Sequence, residues 1–536
     1  MPAPRDAPPP FEHKRLLLGA PSPSRRQVAI VAGLSLGIAA TVATVIGNPS
    51  HALLVSMGAF AAMYGTDRPY RHRAWLLSVV VSLLLGGVVF GALTERLAAG
   101  LGAVPGTVTA AGLVVIAGVT ILAALGTFLA SALQVGPPGG FFFALVASMG
   151  SLLSARGIAV GELAALTLLG GSTAMVLSLL PGLRAPHGPV AKRLRAADAA
   201  LGRHLAAVDA GRATSRTRTD AAMALHAAWT AIDEAGMRDS ATSRALHGMH
   251  ERFAATLGVE SSPTPAPTHP DGRLAEDIPL GSPRRRYLLR RSLHAGTLPT
   301  ILATRVLVAA AVAGTAAYLL ATGRPDWAVM SAILILHSGV DRLVGTYKAL
   351  HRLIGTVVGL LVFTLVYAAH PHDYVLIVLL AVLQFLIELV IVRNYAVAVV
   401  LITTLVLLVM TGPGLDPGEV MRDRLIDTLI GVTVAVVVLW TVGQSLLRRA
   451  LPGQLDRVEG AMTRLDGIVV ATGPQSDAAL EARRDLQLEL IEAVRIADTA
   501  YRNAPADAGP HWQRHLATQD AGYGLLAACW SGPGHP

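Results

Sequence analysis

The stretch Pro49–Arg73, PSHALLVSMGAFAAMYGTDRPYRHR, is echoed about 275 residues later by Pro325–Arg352, PDWAVMSAILILHSGVDRLVGTYKALHR. Each runs from a proline through a short apolar segment to an Asp-Arg pair, Asp67-Arg68 and Asp341-Arg342, and then into a basic loop. Duplicated hydrophobic halves build many secondary transporters, with the substrate site between the repeats. Two related membrane halves and a transport function are therefore the first expectation.

Composition widens the frame. Of 536 residues 53% are apolar, and the mean hydropathy is +0.53. Val28–Gly47 and Val108–Leu133 carry no charge at all, as membrane spans do and core helices of this length rarely do. The net charge of +9 comes from Lys and Arg clustered in loops beside spans, which reads as an orientation signal rather than a nucleic-acid footprint. One cysteine, Cys529, excludes a disulfide framework and a zinc knuckle. No HExxH motif, other metal-ligand cluster or phosphate loop occurs, so no metal, no cofactor, no enzymatic activity and no ATP hydrolysis are expected. The polar, Pro-rich start, with Lys14, Arg15, Arg25 and Arg26 before Val28, resembles a signal peptide. Val28–Gly47 has a counterpart at Ile301–Ala321, which cannot be a signal, so retention as a first helix is the reading.

Spans fall near 28–47, 51–65, 74–93, 109–133, 141–155 and 160–180, then near 301–321, 326–340, 352–369, 375–392, 394–411 and 425–445. The fold class is thus an all-α membrane protein of two parallel repeats of about six transmembrane helices, each followed by a cytosolic helical domain. An even number per half gives both halves the same orientation. The expected divisions are a cytosolic arm over 1–27, membrane halves over 28–181 and 301–446, a helical domain with a Pro-rich linker over 182–300, and a C-terminal helical domain over 447–536. Cytoplasmic loops would carry Arg68, Arg71 and Arg73, then Arg184, Lys192, Arg284–Arg286, Arg342, Lys348, Arg352, Arg448 and Arg449, with both termini inside. The appendages show helical spacing, as in Leu194, Leu201 and Leu205, or Leu486, Leu490 and Val494. Helical packing is their default role, with regulation or self-association left open.

The second span of each half is short. Roughly 14 apolar residues reach about 21 Å at 1.5 Å per residue, against roughly 30 Å of hydrocarbon. Short segments at matching positions of two halves point to a transport site; a helix lengthened by its polar flanks is the alternative. Arg342 and Arg352 are read as a carboxylate clamp, with Lys348 and Arg393 adding charge at a cytoplasmic mouth. Anchoring to anionic lipid would explain each singly. Gly355 and Gly359 allow close helix approach.

Charge inside a span usually marks a pathway, a relay or a buried pair. Glu388, without a sequence-local partner, is the leading coupling candidate. Arg424 and Asp427, at i and i+3, suit an ion pair and, with Asp341, a coupling or gating role. Arg305 is expected to snorkel to the interface. The first-half counterparts are Asp67, Arg68, Arg71 and Arg73. Matching Gly431 to Gly170 sets Arg424 and Asp427 against Leu163 and Leu166, or against Glu162 with a shift of one. Matching Asn394 to Gly140 sets Glu388 and Tyr395 against Gln134 and Phe141. The ion chemistry is expected on the second half.

Trp327, Asp341-Arg342, Arg352-x-x-Gly355-Thr356-x-x-Gly359 and Arg424-x-x-Asp427-Thr428-x-x-Gly431 together resemble the fusaric acid resistance family of integral membrane transporters, best over about 315–440 and more weakly over 35–175. The resemblance implies a bacterial inner-membrane protein related to aromatic carboxylic acid exporters, in a wider group similar to plant malate-transporting anion channels. The first half departs from it, because Arg73-Ala-Trp-Leu-Leu lacks the Gly-Thr that follows Arg352.

The expectation is an exporter of organic, aromatic carboxylates across the cytoplasmic membrane, driven by membrane potential or protons. A passive anion channel and a scaffold that recruits partners through its cytosolic helices are the competing readings. The expected partners are an organic anion and the lipid bilayer, not nucleic acid; assembly into a homo-oligomer is left open.

Overall fold

Inside a bilayer each backbone N–H and C=O must find its partner within the segment, which drives long apolar windows into helices. A computed structural model describes residues 8, 25–103, 107–238, 240–258, 283–294, 296–337, 339–410 and 416–531, which are helical with no strand among them. Lys14, Arg15, most of the expected arm and the Ser261–Pro270 linker lie outside the described residues.

The first half contains α1 (Arg26–Val45), α2 (Ala52–Met63), α3 (Tyr70–Gly100), α4 (Leu113–Ala132), α5 (Phe141–Ala155) and α6 (Val160–Leu179). Polar helices α7 (Gly188–Asp209), α8 (Ser215–Ala235) and α9 (Ala241–Gly258) follow, and then α10 (Arg285–Ser292). The second half contains α11 (Leu298–Leu319), α12 (Pro325–Leu336), α13 (Arg342–Ala368), α14 (Asp373–Val390), α15 (Tyr395–Met410) and α16 (Pro417–Thr441). The chain closes with α17 (Gln444–Thr472), α18 (Asp477–Asn503) and α19 (Pro505–Ser531).

Eight of these helices are long and apolar enough to cross a membrane, and α2, α5, α12 and α15 are shorter apolar helices. The second and the fifth helix of each half are therefore both short, whereas only the second stood out in the sequence. Helix α2 is irregular as well, with 3-10 turns at Ala52–Val55 and Phe60–Met63 around one α turn.

Small residues hold the short helices in place. A Cβ on Gly58 would lie 1.8 Å from the Thr167 carbonyl oxygen, and one on Gly170 would lie 1.9 Å from that of Val55. Backbone thus touches backbone between α2 and α6. In the second half a Cβ on Gly431 of α16 would lie 2.4 Å from the Ala328 oxygen of α12. Between halves, α1 packs on α14 and α11 packs on α4, so the first helix of each half lies against the fourth of the other.

Two expectations change. The third helix of each half begins earlier than read, because the supposed basic loops are its first turns. Asp341 accepts hydrogen bonds from the backbone N–H groups of Leu343 (3.2 Å) and Val344 (3.4 Å), an N-cap that starts α13 at Arg342. The two polar appendages, expected as separate domains, share one core. Leu201, Leu225, Trp229, Ile232 and Phe253 pack with Leu465, Leu486, Leu490 and Tyr523, since each three-helix set alone would leave an apolar stripe uncovered.

Candidate functional site

Proline at the start of α12 leaves Arg324 as its N-cap and brings Trp327 into its first turn. The Trp327 ring lies between two guanidinium groups, Arg324 at 4.4 Å and Arg424 of α16 at 4.9 Å from its centroid. Such stacking strengthens when it is desolvated. Arg324 also donates two bonds to Asp326, both 2.9 Å. Asp326 in turn accepts from Ser148 of the first half at 3.0 Å, so this pair bridges the halves.

Arg352 stands ten residues into α13, about 15 Å along the axis from the helix start, and immediately precedes the charge-free run Leu353–Ala369. It is 1% exposed. One Nη reaches Ser331 at 3.4 Å, and the guanidinium otherwise has only the Tyr395 hydroxyl beside it, with no carboxylate within 4 Å among the described residues. Tyr395 opens short helix α15 beside Arg352 and Arg424, and its buried hydroxyl lies against the Arg352 guanidinium. Lys348 lies 5.9 Å from the centre of the Tyr395 ring. The Arg424 Nε is also buried without a partner among the described residues, and Asp427 is buried against Thr322. Arg324 pairs with Asp326, whereas Arg352 and Arg424 form no ion pair among the described residues, and Asp427 lies beside Arg424 together with Asp326 and Asp423. Buried polar atoms left without partners are rare in proteins and call for a functional account.

The expected Arg424–Asp427 ion pair does not form, because Arg424 turns toward Trp327. The Arg342–Arg352 clamp does not form either, since ten residues of helix separate the two. Arg342 instead docks the polar bundle: its backbone N–H donates to Asn503 Oδ1 at 2.8 Å, its guanidinium to the Asn503 carbonyl, and it stacks on Trp440 at 5.0 Å. Arg393 is exposed in the turn between α14 and α15. Glu388 is not partnerless: it sits near the end of α14, buried, 3.2 Å from Arg25. Packing of α1 on α14 supplies that partner from 363 residues away (388 − 25). Arg305 does not snorkel but is fully buried and donates to the carbonyls of Val442 (3.0 Å), Val340 (2.9 Å) and Leu439 (3.3 Å).

First-half counterparts also face the polar bundle. Asp67 pairs with Lys192 at 2.7 Å and lies 3.9 Å from Arg193, Arg68 pairs with Glu234 of α8, and Arg71 lies against Gly236. Arg73 is buried and donates to the Ser178 carbonyl at 3.1 Å. Both Asp-Arg pairs therefore sit at junctions between membrane helices and the polar bundle.

Sequence reading missed one correspondence. Gly87 and Gly91 of α3 pack on α5 at the carbonyls of Phe143 and Ala147, as Gly355 and Gly359 of α13 pack on α15 at those of Ala396 and Val400. The shared four-residue glycine spacing was the available signal. Three residues before Gly87 stands Leu84, fully buried, where Arg352 precedes Gly355. Leu163 and Leu166 are buried before Gly170 as Arg424 and Asp427 are before Gly431. Glu162 is instead half-buried and bonded by Asn48 (2.7 Å) and His51 (2.6 Å).

A cavity of about 180 Å³ lies where the halves meet, lined by Glu95, Tyr318 and Ser148 and reaching Asp326. Helix content, apolar spans and a buried cationic and aromatic cluster define a polytopic α-helical membrane protein. Residues 310–438 match the family described as fusaric acid resistance protein-like, which bears out the resemblance over the segment that holds the cluster. The chain is also 24% identical over 565 aligned positions, 93% of its length and 85% of the relative's, to the protein named uncharacterized membrane protein YvaC of Bacillus subtilis (strain 168). No solved structure matches.

Proposed function

We propose that this protein exports an organic, aromatic carboxylate across the cytoplasmic membrane, and that Lys348, Arg352, Arg424, Trp327 and Tyr395 form its anion site. The observation that carries the reading is the buried Arg352 guanidinium, held by one long bond to Ser331 and set beside the Tyr395 hydroxyl with no carboxylate within 4 Å among the described residues. A carboxylate would supply the missing acceptor to an Arg fork, and neighbouring rings suit a substrate that joins an aromatic face to its charge.

The reading treats the two halves as parallel repeats related by an axis along the membrane normal, with termini and polar bundle in the cytoplasm. Reciprocal packing of first on fourth helices, matching glycine contacts and short helices at the same two positions support this. The first half then serves as scaffold, with leucines where the second half carries charge. Asp427, buried beside Arg424 and Thr322 with no ion pair among the described residues, is the better coupling group. Glu388 belongs to an ion pair at a helix end.

Flux of a panel of aromatic and aliphatic carboxylates from proteoliposomes, with and without a pH gradient, tests the reading. Saturable aromatic carboxylate efflux accelerated by a proton gradient is the expected result. Currents that follow the anion gradient and ignore pH would assign a passive channel, and absence of flux would leave a scaffold.

A further inference from the structure

The segment Arg284–Arg291, RRRYLLRR, is more basic than orientation requires, and its helix divides its charges between two faces. Arg285 stacks on Trp75 of α3 at 4.5 Å. Arg286, Arg290 and Arg291 turn the other way, into a cavity of about 620 Å³ walled by α10, α17 and α18. That volume lies within the range of roughly 300–1,000 Å³ common to small-molecule sites.

The acidic groups of the cavity are already engaged. Glu489, 1% exposed, accepts from the Tyr287 hydroxyl (2.8 Å), Arg291 Nε (2.8 Å) and Nη2 (2.9 Å), and Gln454 Nε2 (2.6 Å). Glu481 pairs with Arg284 at 3.2 Å. Arg286, Arg290 and Arg464 form no ion pair among the described residues, and Arg457 gives two bonds to the neutral Gln454 amide oxygen, at 3.1 and 2.7 Å. Among the described residues six arginines and two glutamates thus line one cavity, an excess of four positive charges. Their mutual repulsion raises the local potential for anions. A single carboxylate would offset one of the four, whereas phosphate oxygens match several guanidinium forks at once.

We propose that this cavity is a regulatory site for a phosphate-bearing polyanion, either a soluble polyphosphate ester or an anionic lipid headgroup. Binding there would fasten α10 to α17 and α18. Helix α10 leads within a few residues into α11, the first helix of the second half, and touches the first half through Arg285 and Trp75. The occupant would thereby set how firmly the polar bundle holds both membrane halves.

Two binding arms on the full-length protein test this. In neutral detergent, calorimetry with inorganic pyrophosphate and with ATP reads the soluble source. In nanodiscs of phosphatidylcholine with or without cardiolipin, whose headgroup carries two phosphates, the rise in unfolding temperature reads the headgroup source. Saturable binding in either arm that falls at least tenfold in the Arg286→Gln/Arg290→Gln variant is the expected result, and the responding arm identifies the source. The Arg464→Gln variant, on a different helix, should weaken binding at least threefold and guards against a local folding defect in α10. No saturable effect in either arm, or wild-type affinity in both variants, would overturn the proposal. Because the readout is binding, it stands or falls separately from the transport reading.

Discussion

Replacing Arg352 by Met should separate stability from function. Arg352 is buried, has one long bond to Ser331 and only the neutral Tyr395 hydroxyl beside its other donors. A buried cation without a close carboxylate carries a desolvation penalty of several kcal/mol, and exchange of buried charge for well-packed apolar side chains is often neutral or stabilising by about 1–4 kcal/mol. The Arg352→Met protein should therefore unfold in detergent at the same or a higher temperature than wild type when no substrate is present. Its affinity should fall, because a substrate carboxylate would take two charge-assisted bonds from the guanidinium worth about 1.5–3 kcal/mol each. Counting only about 3 kcal/mol for the pair predicts a KM for efflux roughly 100-fold higher. Arg352→Lys keeps charge and loses the fork, so an increase of about tenfold is expected. Leu84→Met, at the corresponding place in the first half, should move neither quantity. A lower unfolding temperature with an unchanged KM would refute the reasoning and make Arg352 a packing residue.

Asp427→Asn should flatten the pH dependence of efflux across pH 5.5–8 in proteoliposomes, while Glu388→Gln should leave it in place and instead loosen the α1–α14 contact made through Arg25. Arg342→Ala should raise backbone amide exchange around Asn503 severalfold by mass spectrometry, with transport KM changed less than twofold. In the polar bundle, burial pushes the Asp485 carboxyl up to about 6, so the folded state holds its proton more tightly than the unfolded chain does. The stabilisation this provides is full below about pH 4, the ordinary carboxylate range, and is lost as pH rises through about 6. Asp485→Asn should raise the unfolding temperature at pH 7.5 and remove that slope.

Much of the membrane plan was legible because lipid imposes a simple rule: charge-free windows become helices, and their flanking arginines mark the ends. Short second helices and the charge imbalance between halves followed from counting alone. The basic loops were misread because an Asp341 cap acts over two or three residues and turns an apparent loop into helix. Glu388 and Arg305 were misjudged for one shared reason. Their partners, Arg25 for the one and three backbone carbonyls for the other, come from elements far away in sequence.

By itself the sequence determined that this chain is a helical membrane protein with two hydrophobic halves and a charged second half, since hydropathy and charge are properties of each residue where it stands. The tertiary structure alone decided which charges meet. It set Lys348, Arg352, Arg424 and Asp427 around Trp327 and Tyr395, moved both Asp-Arg pairs to the bundle junction and merged two appendages into one core. Contacts between helices depend on which faces their glycines allow to approach, and no local window of sequence records that.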